Sequence, residues 1–195
     1  MPTDLLSGSS HAPIADVSVH RVHPGDVATL EEVFDGLSVT SRFSRYHTGT
    51  PYLPAGSRAL IQRVDGVDID ALVARHAGGP ALGLVWLIRT GRGYAEVAVE
   101  VVDAWHGRGL GSKLVMAAEV AAAAMDVEGL RADVLATNRA ALRLLRKVAP
   151  HATGLRDGPE IVFEWTPAWW ARRRHLYRRN SPPPEDLRRR VVRCA

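Results

Sequence analysis

The sequence has a single cysteine, no long apolar run and no visible secretory signal. Cys194 has no second thiol to pair with, so an internal disulfide is excluded, which fits a reducing compartment. The most apolar stretch, residues 114–125, is alanine-rich and contains Glu119, so no segment suits a membrane span. Residues 1–15 lack a basic region followed by apolar residues. These absences predict a cytoplasmic protein without a membrane partner.

Outside the C-terminal end, the chain also has little net charge. Residues 167–195 contain nine arginines against Glu185 and Asp186, a charge of +7, whereas the whole chain carries +4. Residues 1–166 therefore carry −3, and the high overall pI is no argument that the main part of the chain binds nucleic acid. Composition predicts three parts: a loose leader (1–15), one domain (16–166) and an Arg/Trp/Pro-rich tail (167–195).

Strand and helix patterns alternate along the predicted domain. Apolar alternation predicts strands over 17–22, 71–76, 81–88, 95–102, 130–136 and 160–165. Helical spacing predicts helices over 24–37, 109–125 and 138–148, with broken helical pieces between 38 and 63. Short glycine turns separate the central strands, as in an antiparallel meander. The pattern predicts an α+β protein, or an α/β protein, with a mixed sheet.

The most informative segment is a glycine-rich loop between the fourth predicted strand and the helix after it. Gly107, Gly109 and Gly111 alternate there, immediately before the helical pattern. Glycines let a backbone approach a ligand closely, and a helix N-terminus adds unpaired N–H groups and a positive dipole end. The arrangement predicts a cradle for an anion such as a pyrophosphate.

Two other nucleotide loops do not fit this spacing. A dinucleotide fingerprint needs a third glycine where Ser112 stands, and a Walker loop needs lysine before serine, whereas Lys113 follows Ser112. A turn that binds nothing is a further alternative, but three glycines are a costly way to begin a helix.

The loop resembles the Gln/Arg-x-x-Gly-x-Gly/Ala signature of the GNAT superfamily of N-acetyltransferases, with histidine at the Gln/Arg position. The matching residues are His106, Gly107, Arg108, Gly109, Leu110 and Gly111. A second family motif, beginning about 27 residues later, is matched by Asn138, Ala141, Leu144 and Lys147. The resemblance covers residues 17–166 and implies a central, mostly antiparallel sheet flanked by helices.

The resemblance also implies acetyl-CoA as the acyl donor and an amine acceptor, either a protein lysine or a small molecule, with no metal. It implies that the loop holds the pyrophosphate, that the end of the fourth strand pairs with the pantetheine arm, and that a backbone N–H near Val101 or Val102 meets the oxyanion. The implied contacts are Val101, Val102, His106, Gly107, Arg108, Gly109, Leu110, Gly111, Ser112, Asn138 and Ala141. The surrounding sequence resembles bacterial protein-lysine acetyltransferases that modify acyl-CoA synthetases.

The chain departs from the family pattern after the fifth strand. Leu145 stands where many members place the tyrosine that protonates the leaving thiolate, and Ala149-Pro150 replaces Gly-Phe. A thiol of pKa about 8.5 leaves reasonably well as a thiolate, so transfer remains feasible. The missing acid keeps a non-catalytic acyl-CoA sensor or scaffold open as an alternative, and the arginine tail keeps a nucleic-acid role open.

The candidate general bases are two glutamates on the fourth strand. An amine must lose a proton before it attacks a thioester, and Glu96 and Glu100 have the even spacing that points both side chains to one face. We favour Glu96, because family members often carry their base in this part of the strand, with Glu100 as the alternative. Solvent-facing strand residues would show the same spacing.

Other polar residues are harder to assign. Arg42, Arg45 and Tyr46 lie where the family builds its acceptor site, but an ordinary helical surface fits them equally well. The histidines show no metal-ligand spacing. Trp105 is expected to anchor the glycine loop by packing. Trp169 and Trp170 are expected to pack on the domain or on a second copy of the chain, which makes a homodimer conceivable.

Overall fold

The computed structural model describes residues 13–91 and 93–170. In chain order the elements are β1 (Val17–Arg21), α1 (Val27–Asp35), α2 (Val39–Tyr46), α3 (Ala55–Ile61), β2 (Ile69–His76), β3 (Ala81–Arg89), β4 (Tyr94–Val101), α4 (Leu110–Ala124), β5 (Gly129–Leu135), α5 (Arg139–Val148), β6 (Thr153–Asp157) and β7 (Glu160–Trp165). Short 3-10 turns cover Ile14–Asp16 and Asp103–Trp105. None of the helices in the described ranges is long and apolar enough to cross a membrane.

The strands form one seven-stranded sheet in the order β1-β2-β3-β4-β5-β7-β6. Neighbours are antiparallel except β4 and β5, which are parallel. The predicted α+β fold with a mixed, mostly antiparallel sheet is therefore confirmed. Six strands were predicted, and β6 was missed because it is an edge strand whose residues are nearly all exposed. Its signal was the Asp157-Gly158 pair, since Gly158 makes the tight turn into β7 with φ 56°.

The sheet separates two apolar cores because alternate strand residues point to opposite faces. On one face, Leu84 and Trp86 of β3 pack with α1 and α3 residues such as Phe34 and Ile61. On the other face, Val85 and Leu87 pack beneath α4. The apolar stripe predicted for that helix is buried at Leu110, Leu114, Val115, Ala118, Ala121 and Ala122. Helices thus cover the central strands on both faces of the sheet.

Strands β4 and β5 pair over only three positions, 94–96 with 129–131, and separate beyond them. We call the opening the β4–β5 gap. The Val102 N–H donates to the Leu82 carbonyl on β3, 3.0 Å away. Because backbone groups alternate in direction along a strand, Val99 and Val101 direct their N–H and C=O groups into the gap. The gap offers an extended ligand the same hydrogen bonds that a strand would use.

The packed part of the chain continues past residue 166. Pro167 is buried, and Trp169 packs against the core that contains α4. The expectation that this segment packs on the domain is confirmed for Trp169. The arginines at and beyond 172, together with Cys194 and residues 1–12, lie outside the described residues. A homodimer and the three-part division of the chain stay predictions.

Candidate functional site

A cleft of about 1110 Å³ opens at the β4–β5 gap. It is bounded by α2, β4, the glycine loop, the start of α4, the end of β5 and α5. Most of the residues predicted for the site line it: Glu96, Glu100, Val101, His106, Gly107, Gly109, Leu110, Gly111, Ser112, Asn138 and Ala141. Residues from distant parts of the chain are thus brought together as the sequence predicted.

Two predicted contacts, Val102 and Arg108, do not line the cleft. Val102 is buried, and its N–H is already bonded to β3. The Arg108 guanidinium lies 5.4 Å from the centre of the Trp105 ring, at the back of the loop. Trp105 itself packs against both apolar cores, which confirms its expected role as the anchor of the loop.

The glycine loop ends in a helix start that carries no side-chain cap. Gly107 and Gly109 have φ of 73° and 87°, a left-handed conformation that favours glycine, and Gly109 is the N-cap of α4. The first intrahelical bond runs from the Lys113 N–H to the Gly109 carbonyl, 3.1 Å away. The N–H groups of Leu110, Gly111 and Ser112 therefore have no intrahelical acceptor, and they face an open cleft. This helix terminus suits an anion.

The α5 side of the cleft adds positive charge that the sequence analysis did not assign. Arg139, Arg143 and Lys147 all line the cleft at a spacing of four residues, so they form one stripe along the helix. That spacing was visible in the sequence. Asn138 begins the helix, and its side-chain oxygen accepts the Ala141 N–H at 3.0 Å. The stripe and the start of α4 together make one end of the cleft electropositive.

His106 reaches back to the end of β4. Its Nε2 lies 2.8 Å from the Val101 carbonyl oxygen, and because a carbonyl only accepts, the ring donates this hydrogen bond. That carbonyl belongs to the set directed into the β4–β5 gap. The His106 ring therefore occupies one of the positions that an extended ligand in the gap would use.

Glu100 is a buried carboxylate held by two residues of α2. The Tyr46 hydroxyl donates to Glu100 Oε2 at 2.6 Å, and Arg45 Nε forms an ion pair with Oε1 at 3.2 Å. Burial raises the pKa of Tyr46, and the neighbouring Glu100 charge raises it further. Of the three α2 residues singled out in the sequence, Arg45 and Tyr46 line the cleft, whereas Arg42 does not.

Arg42 instead connects α2 to α1. Its guanidinium donates to the Phe34 carbonyl at 3.1 Å and stacks 4.0 Å above the Phe34 ring. The role is structural, so the acceptor-site hypothesis is wrong for Arg42 and stays a hypothesis for Arg45 and Tyr46.

Glu96 lies at the start of the gap, on the same face of β4 as Glu100. It precedes Glu100 by four residues and is closer to the end of β4 that pairs with β5. It lines the cleft and is half-buried, in register with Arg131 on β5. Asp133 holds that guanidinium with two hydrogen bonds of 2.9 and 3.0 Å. Asp133 is the main cause of the raised pKa of Arg131, to which the Glu96 charge also contributes. Within the described residues, no hydrogen bond occupies the Glu96 carboxylate, so it is available to a ligand.

Comparison with known proteins identifies the family. Residues 43–149, which are 107 of the 195, match the acetyltransferase (GNAT) family. The chain belongs to this family. No curated protein sequence matches it significantly.

Solved structures show the same GNAT fold. The GNAT domain of S. lividans PAT superposes with a TM-score of 0.70 at 23% identity, covering 80% of this chain and 100% of that one. For yncA of Salmonella typhimurium with its cofactor acetyl-CoA, the TM-score is 0.62 at 17% identity, covering 77% and 94%. For spermidine N-acetyltransferase from Vibrio cholerae in complex with CoA and spermine, it is 0.57 at 14% identity, covering 77% and 94%.

One feature of this GNAT chain is the apolar wall opposite β4. Leu145 stands at the position where the sequence departs from the family's tyrosine, and it is buried and lines the cleft. That position therefore carries no titratable side chain. Leu144 also lines the cleft, and a Cβ on Gly111 would come within 3.2 Å of it. In the described ranges, no group of three or more His, Cys, Asp or Glu side chains is placed to hold a metal ion.

Proposed function

We propose that this GNAT protein transfers an acetyl group from acetyl-CoA to an amine by direct attack within a ternary complex. The observation that carries the proposal is a single cleft that joins three features. These are the uncapped start of α4, the β4–β5 gap and the half-buried Glu96 carboxylate. An anion site, a slot for an extended chain and a general base are what acyl transfer from a nucleotide-linked thioester requires.

The donor would lie along this cleft from its electropositive end to the gap. The α4 amides and the stripe of Arg139, Arg143 and Lys147 meet the phosphates, since both favour negative charge. The pantetheine arm takes the hydrogen bonds that Val101 directs into the gap, and there it replaces the His106 ring at the Val101 carbonyl. The acetyl-CoA bound to yncA and the CoA bound to the V. cholerae enzyme support this choice of donor.

The reaction begins with removal of a proton from the acceptor ammonium. Glu96 takes that proton, directly or through water, and the amine nitrogen forms a bond to the thioester carbonyl carbon. The Val99 N–H, which points into the gap three residues from Glu96, stabilises the negative oxygen. The pantetheine arm uses the groups of Val101, and the Val102 N–H is already bonded to Leu82. The carbon–sulfur bond then breaks. The thiolate leaves, the nitrogen loses its second proton to solvent to give the neutral amide, and solvent returns a proton to the thiolate, because Leu145 supplies none.

The two candidate bases differ in their surroundings. Both Glu100 oxygens are engaged, Oε2 by the Tyr46 hydroxyl and Oε1 by the Arg45 guanidinium, so neither is open to an acceptor amine. Glu96 has no such hydrogen bonds in the described structure. The geometry therefore supports Glu96 as the base and Glu100 as a fixed charge that positions α2.

The test compares Glu96→Gln with Glu100→Gln as the matched control. Turnover is followed as CoA thiol release with a panel of small amines, polyamines and lysine peptides, and acetyl-CoA binding is measured by calorimetry. Glu96→Gln is expected to lower kcat by about 10²–10⁴ with acetyl-CoA affinity unchanged, because only basicity is lost. Near-normal turnover of Glu96→Gln from pH 6 to 9 would refute the role of Glu96. Acetyl-CoA binding without thiol release by the unmodified protein would instead support the sensor alternative, which Leu145 motivates.

A further inference from the structure

The far half of the sheet presents an open, acidic surface next to the cleft. Strand pairing places Asp133 opposite Val162, Val162 opposite Leu155, and Asp157 opposite Glu160. Residues paired in this way point to the same face. We call this surface the acidic sheet face, defined by Asp133, Leu155, Asp157, Glu160, Val162 and Glu164. It is the continuation of the β4 face that carries Glu96, since Glu96 is in register with Arg131, and Arg131 with Glu164.

The acidic sheet face is continuous with the reaction site. Asp133 and Glu160 belong both to this face and to the lining of the cleft. His47 Nδ1, at the end of α2, lies 3.1 Å from Glu160 Oε1 across the cleft, which places the face beside the α2 wall. An acceptor bound on the face would therefore reach Glu96 without crossing another element.

The openness of the face argues against a small acceptor. Asp133 and Asp157 are exposed, and Leu155 is 44% exposed although it is a large apolar residue. Sites for small molecules are concave and bury most of their ligand. A flat sheet surface with an exposed leucine between carboxylates instead suits another macromolecule, which covers the apolar side chain with one of its own.

The charge of the face indicates what that macromolecule carries. Among the described residues, the face carries four carboxylates and one guanidinium, that of Arg131, which contacts Asp133 and Glu164. Its formal charge is therefore −3, with His47 counted as neutral. Such a surface attracts cationic partners and repels acidic ones. An acceptor lysine with basic neighbours matches it.

We propose that the acidic sheet face docks the acceptor, and that the acceptor is a protein segment presenting a lysine among other cations. The proposal rests on the proposed function and goes further by naming the acceptor class and the surface that selects it. Glu160 and Asp133 orient the segment near the cleft, and Leu155 packs against an apolar side chain of the partner. The acceptor lysine then enters between α2 and β5 towards Glu96.

The test uses the full chain and charge changes outside the cleft. Asp157→Lys and Leu155→Arg alter the face, and Glu128→Lys is the matched control, since Glu128 is exposed before the start of β5, at the opposite end of that strand. Three acceptors are compared: a lysine peptide flanked by arginines, the same peptide flanked by glutamates, and n-butylamine. Peptide binding is also measured by fluorescence anisotropy, which does not depend on turnover.

The expected results separate docking from chemistry. The unmodified protein is expected to prefer the basic peptide to the acidic one by at least about tenfold in kcat/KM, with a preference that weakens as salt rises. Asp157→Lys and Leu155→Arg are expected to raise KM and Kd for the basic peptide about three- to tenfold. The kcat, the use of n-butylamine and the behaviour of Glu128→Lys are expected to stay unchanged.

Other outcomes would overturn one proposal or the other. Turnover of n-butylamine with no preference between the peptides would overturn the docking proposal and leave the enzyme proposal intact. Binding of the basic peptide that Asp157→Lys weakens, with no thiol release from any amine, would overturn the enzyme proposal alone. A change of oligomeric mass in Asp157→Lys or Leu155→Arg, without a change in peptide binding, would assign the face to a second copy of the chain.

Discussion

Replacing Tyr46 by phenylalanine tests the contact that fixes α2 against β4. The substitution removes one hydroxyl, and Glu100 Oε2 loses a donor at 2.6 Å while Arg45 stays at 3.2 Å from the other oxygen. A hydrogen bond to a charged group contributes about 1.5–3 kcal/mol, and Glu100 is only 6% exposed, so water replaces the donor poorly. For a chain of this size each kcal/mol shifts Tm by about 2–4 °C. We expect Tyr46→Phe to lower Tm by roughly 3–12 °C.

The pH dependence of this loss follows from the raised pKa of Tyr46. Burial and the Glu100 charge favour the protonated phenol in the folded state, so its contribution is fully present below the unfolded pKa of about 10. It is lost only as pH rises above that value towards the higher folded pKa. The Tm difference between Tyr46→Phe and the unmodified protein is therefore expected to be constant from pH 6 to 9.

The measurement is thermal unfolding followed by circular dichroism, with Tyr52→Phe as the matched control. Tyr52 is 78% exposed, so loss of its hydroxyl is expected to shift Tm by less than about 1 °C. In kinetics, Tyr46→Phe is expected to raise the acceptor KM several-fold and to leave acetyl-CoA affinity unchanged, because α2 forms a wall of the cleft on the β4 side. A Tm loss no larger than that of Tyr52→Phe would refute the reasoning.

Two further changes test the loop and the buried charge. Gly109→Val forces a β-branched residue to φ 87°, so it is expected to weaken acetyl-CoA binding at least tenfold, measured by calorimetry. The control is Gly91→Val, at a glycine outside the left-handed region, which is expected to leave acetyl-CoA affinity unchanged. Equal affinities of the two variants would contradict the role of the glycine loop as an anion cradle. Asp70 has a raised pKa, chiefly from burial, so its ionisation opposes folding as pH rises despite Arg21 at 3.0 Å. Asp70→Asn is expected to raise Tm by roughly 1–3 °C at pH 8, with the gain disappearing near pH 4, and a loss at pH 8 in thermal unfolding would contradict this.

The parts of the site that could be predicted from the sequence are local. Gly107, Gly109 and Trp105 lie within five residues of one another, and their backbone and packing roles follow from their types and order. The stripe from Arg139 to Lys147 was equally local, and its spacing alone would have identified it. Short-range patterns of this kind report which face of an element is polar, whatever the element packs against.

The parts that were missed depend on contacts between distant residues. Tyr46 and Glu100 are 54 residues apart, and only the packing of α2 on β4 brings them together. Even spacing placed Glu96 and Glu100 on one face, but it could not show that only Glu100 has both oxygens engaged. Strand β6 was missed because an exposed edge strand has almost no apolar alternation.

The three-position pairing of β4 with β5 has a consequence for the energetics of the whole molecule. At that line the sheet has few hydrogen bonds, so its two halves are joined there mainly by helix packing. A chain-like ligand that bonds to the β4 edge in the gap adds contacts across the weakest line of the sheet. Its binding free energy then also opposes the separation of the two halves. Affinity for the donor and resistance to unfolding are therefore linked in this fold. A substitution that weakens donor binding is expected to reduce the stabilisation that the donor gives.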